Sequence, residues 1–202
     1  MGWASAMSAD KVNNHPKSAG DKVDIRRRVL AAVDRPRVFD AFAGSGRMWR
    51  NVWSNAEHYV GCDLKWYRDR VRLAYVGDNR RVMRAIDLGA FNIFDLDAYG
   101  SPWDQATIVA SRRMVASDEK VGLVLTDGSL MKMKLGQAPT ALALLAGIGA
   151  GARGLARQYD QIMDRAISAL CARMRCDLVA RYQAEGKTQS GVHYIGLILR
   201  GQ

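Results

Sequence analysis

The chain of 202 residues is 49% hydrophobic and 25% charged, which suits one compact domain with a sizeable core and excludes general disorder. No apolar run reaches the ~18 residues of a membrane span, and the N-terminus lacks the continuous apolar core of a secretory signal. Cys62, Cys171 and Cys176 cannot all pair, and they make neither a C-x-x-C motif nor a zinc spacing with His15, His58 or His193. The expectation is therefore a reduced, cytoplasmic protein with no metal and no membrane contact.

The charge balance points to a class of partner. Thirty Lys and Arg stand against 20 Asp and Glu, a formal charge of +10, and 22 of the 30 cations are arginine. The planar guanidinium binds phosphate oxygens in a fork, so this excess fits nucleic acid or another polyanion. Scattered, solvated surface charge is the competing explanation.

Residues 1–22 are small and polar without periodicity and read as a flexible arm, which leaves 23–202 as a single domain. A short helix is expected from Asp24 to Val33, with Arg26, Arg27 and Arg28 toward solvent. From Arg37 onward, short β-branched or aromatic runs end in glycine or aspartate. The expected strands are Arg37–Ala41, Tyr59–Cys62, Leu73–Val76, Asn92–Leu96 and Val121–Thr126. Their spacing leaves room for crossovers, hence a mostly parallel central sheet with helices on both faces. Beyond Pro139 come a run over Ala141–Ile148 and a long helix over about Leu155–Arg173. Two last strands, Cys176–Gln183 and Val192–Leu199, flank the polar turn Ala184–Gly191 as a C-terminal antiparallel hairpin.

The strongest local motif is Val38-Phe39-Asp40-Ala41-Phe42-Ala43-Gly44-Ser45-Gly46. A strand ends at Asp40, and two glycines let the chain turn beneath a ligand that Cβ atoms would exclude. An ordinary strand-to-helix turn is the plainer reading. Seventeen residues after Gly46 the next strand finishes at Asp63, where a carboxylate can accept two ribose hydroxyls. The third ends in Gly77-Asp78-Asn79, whose Asp78 or Asn79 can meet an adenine amino group. Three such ends in register behind a glycine turn describe a nucleoside site. Gly149-Ala150-Gly151-Ala152-Arg153-Gly154 also spells G-x-G-x-x-G, but it follows a Leu/Ala run of helical character and reads as a helix break or loop.

With these motifs, residues 37–130 resemble the class I, Rossmann-like S-adenosylmethionine-dependent methyltransferases. The resemblance implies that the turn with Asp40, Phe42, Gly44 and Gly46 holds the methionine portion of the cofactor. It gives the ribose to Asp63 and adenine to Asp78 and Asn79, with S-adenosylhomocysteine as the product. The fourth strand end, Asp97-Ala98-Tyr99-Gly100-Ser101-Pro102, resembles the D-P-F/Y-G-S/T-P stretch of tRNA guanine-26 N2-dimethyltransferases. It is also similar to the D/N-P-P-Y/F/W motif of amino-group DNA methyltransferases, with Ala98 in place of proline.

An exocyclic base amine is a poor nucleophile because its lone pair is delocalised into the ring. Acceptance of its N–H groups by the Asp97 carboxylate and the Ala98 carbonyl favours a pyramidal nitrogen, and Tyr99 can stack on the extruded base. The alternative is that Asp95 or Asp97 caps the next helix and Tyr99 is core. A cytosine-C5 mechanism needs a cysteine in this loop, and none is there.

Lys132 and Lys134, after the fifth strand, and Arg153 and Arg157 are the candidate phosphate contacts. Trp49 and Trp53 stand at helical spacing and read as core, while Arg47, Arg50, Arg68, Arg70 and Arg72 read as exposed. Arg80, Arg81 and Arg84 read as a solvated face, and His193 as structural. The reading is an N-methyltransferase of a nucleic-acid base, RNA slightly ahead of DNA, with a dimer mate or specificity subunit as a further partner. Methylation of a protein or small molecule, or a silent fold that only binds nucleic acid, are the alternatives.

Overall fold

The computed structural model describes residues 16–68, 70–185 and 191–202. Seven strands form one sheet in the order β3-β2-β1-β4-β5-β7-β6. β1 (Arg37–Asp40), β2 (His58–Asp63), β3 (Ala74–Val76), β4 (Ile93–Leu96) and β5 (Lys120–Asp127) run parallel. β6 (Cys176–Glu185) and β7 (His193–Gly201) close the sheet as an antiparallel hairpin, with β7 inserted between β5 and β6. All five expected parallel strands form, each within two residues of its expected bounds. The tip of the expected hairpin turn, 186–190, lies outside the described residues.

Both faces of β4, β5 and β7 are covered, which is why those strands are nearly continuous apolar runs. On one face α1 (Pro16–Ala32) sets Ile25 and Val29 against Val38, Ile93, Val124, Tyr194 and Ile198. Gly122 permits that approach: a Cβ there would stand 2.5 Å from Val29 Cγ1. The opposite face carries α3 (Asn79–Ala85), α4 (Trp103–Arg112), α6 (Thr140–Ala146) and α7 (Tyr159–Met174), packed over Phe39, Phe94, Leu123, Leu125 and Leu197. Among the described residues no helix is long and apolar enough to cross a membrane.

Four details depart from the sequence reading. α1 begins at Pro16, so part of the expected arm is helical, while residues 1–15 lie outside the described residues. Arg26, expected in solvent, is fully buried because two carboxylates of β4 and its end wait beneath it. Arg72, expected to be exposed, is buried against the glycine turn. The long helix expected from Leu155 opens instead as a 3-10 turn, Leu155–Gln158, before α7.

Candidate active site

The parallel register brings the strand ends to one edge. Asp40 pairs with Gly61 on β2 and with Asp95 on β4, and Asp63 pairs with Val76 on β3. The glycine turn follows β1 directly and leads into the short α2 (Arg47–Asn51). Gly44 and Gly46 both have positive φ, +46° and +82°, and Gly46 precedes the first residue of α2 in the left-handed region. The Arg72 guanidinium donates to Ala43 O at 3.1 Å and Gly44 O at 3.0 Å, and a Cβ on Gly46 would fall 2.6 Å from its Cζ. A side chain at 46 is thus opposed twice, by backbone conformation and by Arg72.

Asp40 supports the turn from below. Its Oδ1 accepts from Phe42 N at 3.1 Å and its Oδ2 from the Tyr59 hydroxyl at 3.0 Å. Burial, reinforced by the charge of Asp95, pushes this carboxyl up to about 8. Between its ordinary value near 3.8 and about 8 the folded state binds more protons than the unfolded one, so stability falls as pH rises through that window. Asp40→Asn has no proton to lose and keeps the acceptor for Phe42 N. Its urea midpoint is expected to match the parent below about pH 4 and to exceed it at about pH 8. An unchanged gap between the two proteins across that range would refute this assignment.

Asp63 faces the turn. Its Oδ2 accepts from Gly44 N at 2.9 Å and its Oδ1 from Lys65 N at 3.0 Å, which leaves acceptor capacity on both oxygens. Asp78 caps α3 by accepting from Arg80 N at 2.8 Å and is paired with the Arg80 guanidinium at 3.0 Å. The hydrogen bond from Arg80 is the largest influence on it, and holds it down to about 2. Asn79 points the other way: Nδ2 donates to Ala41 O at 2.8 Å and Oδ1 accepts from Gln105 Nε2 at 3.0 Å. Of the third strand's two polar residues, Asn79 is therefore the one tied to the β1 end. Gln105, unnoticed in the sequence, leaves its Oε1 buried without a partner.

At the end of β4 the charges are dense. Arg26 donates to both oxygens of Asp95, at 2.6 and 2.7 Å, and Trp53 Nε1 adds a third bond at 2.8 Å. One turn earlier on α1, Lys22 Nζ reaches both oxygens of Asp97 at 2.8 and 3.0 Å, and Arg26 Nη2 lies 3.4 Å away. Burial opposes ionisation of Asp97, but Arg26 and Lys22 together hold it below the ordinary carboxylate range. Lys22 also lies over the Tyr194 ring, 5.4 Å from its centroid. Sequence reasoning missed both cations, although their spacing of four on one helix gives them a common face. Ala98 is buried, and Tyr99 is 86% exposed.

The β4 and β5 ends are clasped together, since Gly128 N donates to Gly100 O at 2.6 Å. Beyond them Asp127 is fully buried and accepts from Trp103 Nε1 at 3.0 Å, Ser129 Oγ at 2.5 Å and Tyr159 Oη at 2.8 Å. His193 stacks on Tyr159, centroids 4.4 Å apart, and is buried. α5 (Ser129–Lys134) packs against the 3-10 turn Leu155–Gln158. Lys132, Lys134, Arg153 and Arg157 are all exposed there, on elements continuous with the Tyr99 loop through Gly128. The G-x-G-x-x-G stretch follows α6 rather than a strand and lies alongside 136–138, with Ala138 N donating to Ala150 O at 2.8 Å.

The sheet order with its inserted antiparallel β7 defines the class: this is the class I, Rossmann-like methyltransferase fold, and solved structures agree. The chain is similar to Trm1 from Pyrococcus horikoshii, solved in complex with S-adenosyl-L-methionine, at TM-score 0.60 and 13% identity over 92% of this chain and 55% of that one. It is similar to the N-methyltransferase NodS from Bradyrhizobium japonicum WM9, solved with S-adenosyl-L-homocysteine, at TM-score 0.54 and 10% identity over 94% and 89% of the two chains. For the M. jannaschii tRNA m1G37 methyltransferase the TM-score is 0.50 and the identity 13%, over 93% and 50%. The chain thus spans about half the length of Trm1 and of the M. jannaschii enzyme. No protein-family model and no curated protein sequence matches it.

Proposed function

We propose that this chain transfers the methyl group of S-adenosylmethionine to an exocyclic amino group of a nucleic-acid base, with RNA favoured over DNA. The observation that carries the proposal is the convergence of the glycine turn, Asp63, Asn79 and the Asp97–Tyr99 segment at one sheet edge. The residues fit the cofactor. Gly44 leaves open space where a Cβ would stand, with only Phe42 O within 4 Å, at 3.8 Å. Asp63 has lone pairs for the ribose hydroxyls, and exposed Leu64 beside it offers an apolar wall to adenine. Asp78, given to adenine by the sequence motif, contributes here through the start of α3. The neighbours solved with this cofactor or its product support the same choice.

When bound, the cofactor's sulfonium supplies an electrophilic methyl group and leaves as a thioether. The chain's own residues prepare the acceptor. Asp97 accepts one N–H of the base amine and the Ala98 carbonyl the other, which turns the nitrogen lone pair out of conjugation. Because Lys22 and Arg26 keep Asp97 ionised, it serves as an acceptor rather than as a base, and the surplus proton of the methylated amine passes to water. Tyr99 stacks on the base, an interaction worth ~1–3 kcal/mol. Lys132, Lys134, Arg153 and Arg157 extend a cationic surface from that point for the phosphates, and the tRNA methyltransferase neighbour favours RNA.

The test is transfer from labelled S-adenosylmethionine to separate pools of tRNA, ribosomal RNA, double-stranded DNA and single-stranded DNA, followed by nucleoside analysis. Label on a base amine in an RNA pool is the expected result. Cofactor binding without label in any pool would move the substrate to a protein or small molecule. A second reading, a fold that binds nucleic acid without transferring methyl, is favoured by the two cations already on Asp97, and predicts neither label nor cofactor binding.

Two variants separate the subsites. Asp63→Ala is expected to weaken cofactor binding at least about tenfold in calorimetry, the equivalent of ~1.4 kcal/mol for lost charge-assisted hydrogen bonds. Lys132→Glu with Lys134→Glu is expected to lower RNA affinity and to flatten the slope of log affinity against log salt by about 0.7 per lost phosphate contact. An unchanged slope would remove α5 from the interface.

A further inference from the structure

The two glycines of the turn owe their place to different neighbours. A Cβ at Gly44 would meet only Phe42 O, at 3.8 Å, whereas one at Gly46 would stand within 2.8 Å of Cζ, Nε and Nη1 of Arg72. Gly44 therefore faces space that a ligand can fill, and Gly46 faces the chain itself. The side chain beneath Gly46 comes from just before β3, with Arg72 28 positions beyond Gly44.

Arg72 is buried, and a guanidinium is costly to bury unless its N–H groups are met. Nη1 donates to Ala43 O at 3.1 Å and Nη2 to Gly44 O at 3.0 Å, so the planar fork fixes two consecutive peptide units with their carbonyls on one side. In a trans peptide the N–H points opposite to the carbonyl. The Gly44 N–H accordingly meets Asp63 Oδ2 at 2.9 Å. The peptide between Ala43 and Gly44 is thus held from both sides, by the cation and by the carboxylate given to the ribose. Ala43 O also accepts from Gly46 N at 3.0 Å, which closes the turn over the guanidinium.

We propose that Arg72 is a positioning residue for the cofactor: it sets the shape of the glycine turn, and through that shape the fit of the amino-acid end of S-adenosylmethionine. This rests on the methyl-transfer reading, in which the turn holds the methionine portion. The guanidinium need not touch the ligand. It supplies a turn already in its binding conformation, so the ordering of two carbonyls and a left-handed glycine is complete before the ligand arrives. The adenosine end depends on Asp63, which keeps Lys65 N as a separate partner, and is expected to feel the loss of Arg72 far less.

The test is calorimetry of the full chain with two ligands, S-adenosylhomocysteine and methylthioadenosine, which shares the adenosine and the thioether but has no amino-acid end. Arg72→Met is expected to weaken S-adenosylhomocysteine at least about tenfold and methylthioadenosine less than about threefold. Arg72→Lys keeps the charge but not the fork, and is expected to match Arg72→Met within about threefold. Gly46→Ala drives the guanidinium from its place and is expected to show the same selective loss. That variant keeps the test valid if circular dichroism finds an Arg72 variant unfolded. Equal weakening of both ligands, or no weakening, would leave Arg72 a structural role alone, and parental affinity in Arg72→Lys would make charge the cause. Each of these overturns the proposal and leaves the cofactor reading standing. A parent chain that binds neither ligand overturns both.

Discussion

Arg26→Met is expected to destabilise the protein by about 3–5 kcal/mol, the cost of leaving buried charge without its partner. Arg26 is wholly enclosed and gives two hydrogen bonds to Asp95, which is itself wholly enclosed, and a longer contact to Asp97. Burial works against the charge of the guanidinium, yet Asp95 and Asp97 outweigh that penalty and raise its pKa. Methionine fills similar volume, so the loss reports the charge rather than a cavity. Trp53 Nε1 alone then satisfies Asp95. Arg35→Ala removes an equally well-formed pair with Glu57, but at the surface, and is expected to cost less than about 1 kcal/mol. Urea denaturation of the three proteins measures the contrast. A cost below about 1 kcal/mol for Arg26→Met would mean that water or rearrangement reaches Asp95.

Asp97→Ala is expected to reduce methyl transfer about 10²–10³-fold while cofactor affinity stays within a few fold. That is the usual scale for removing one oriented hydrogen-bonding group from a reacting centre. The residue sits past the end of β4, where the candidate base amine would lie, and it touches none of the turn residues that would hold the cofactor. Asp97→Asn keeps one acceptor oxygen and is expected to retain more transfer than Asp97→Ala. Were Asp97 a general base, both variants would lose activity equally and the parent rate would fall steeply as the carboxylate protonates in acid. Single-turnover transfer and calorimetry on the same preparations distinguish these outcomes. Equal loss of cofactor binding in Asp63→Ala and Asp97→Ala would erase the division between the two subsites.

The motifs legible in the chain were those confined to a few neighbouring residues. A glycine turn after Asp40 and an acid at the end of the next strand need only local backbone logic, and the register then carries Asp40, Asp63 and Asp95 to one edge of the sheet. Lys132, Lys134, Arg153 and Arg157, singled out in the sequence as phosphate contacts, are all exposed. Asp78 and Asn79 were indistinguishable in sequence, because both follow β3. Their roles divide only when Arg80 engages the first and Gln105 the second.

The buried cations were beyond reach. Arg26 and Asp95 are 69 positions apart, and Lys22 and Asp97 are 75. A run of three arginines ordinarily faces water, and only a carboxylate aimed at one of them reverses that preference. Arg72 is the same case at the glycine turn, where backbone carbonyls replace the missing water. Among the described residues no helix forms between Leu64 and Leu73, although the gap between the strands is long enough to hold one.

By itself the sequence determined the alternation of strands and crossovers, the mostly parallel sheet with its closing hairpin, and the order of the polar strand ends, because periodicity and turn chemistry act over a few residues. The tertiary structure alone decided which of those polar groups are free to meet a ligand and which are already paired. That choice depends on burial and on partners brought together from distant parts of the chain, where the energy of a charge is set by what stands within a few ångströms of it.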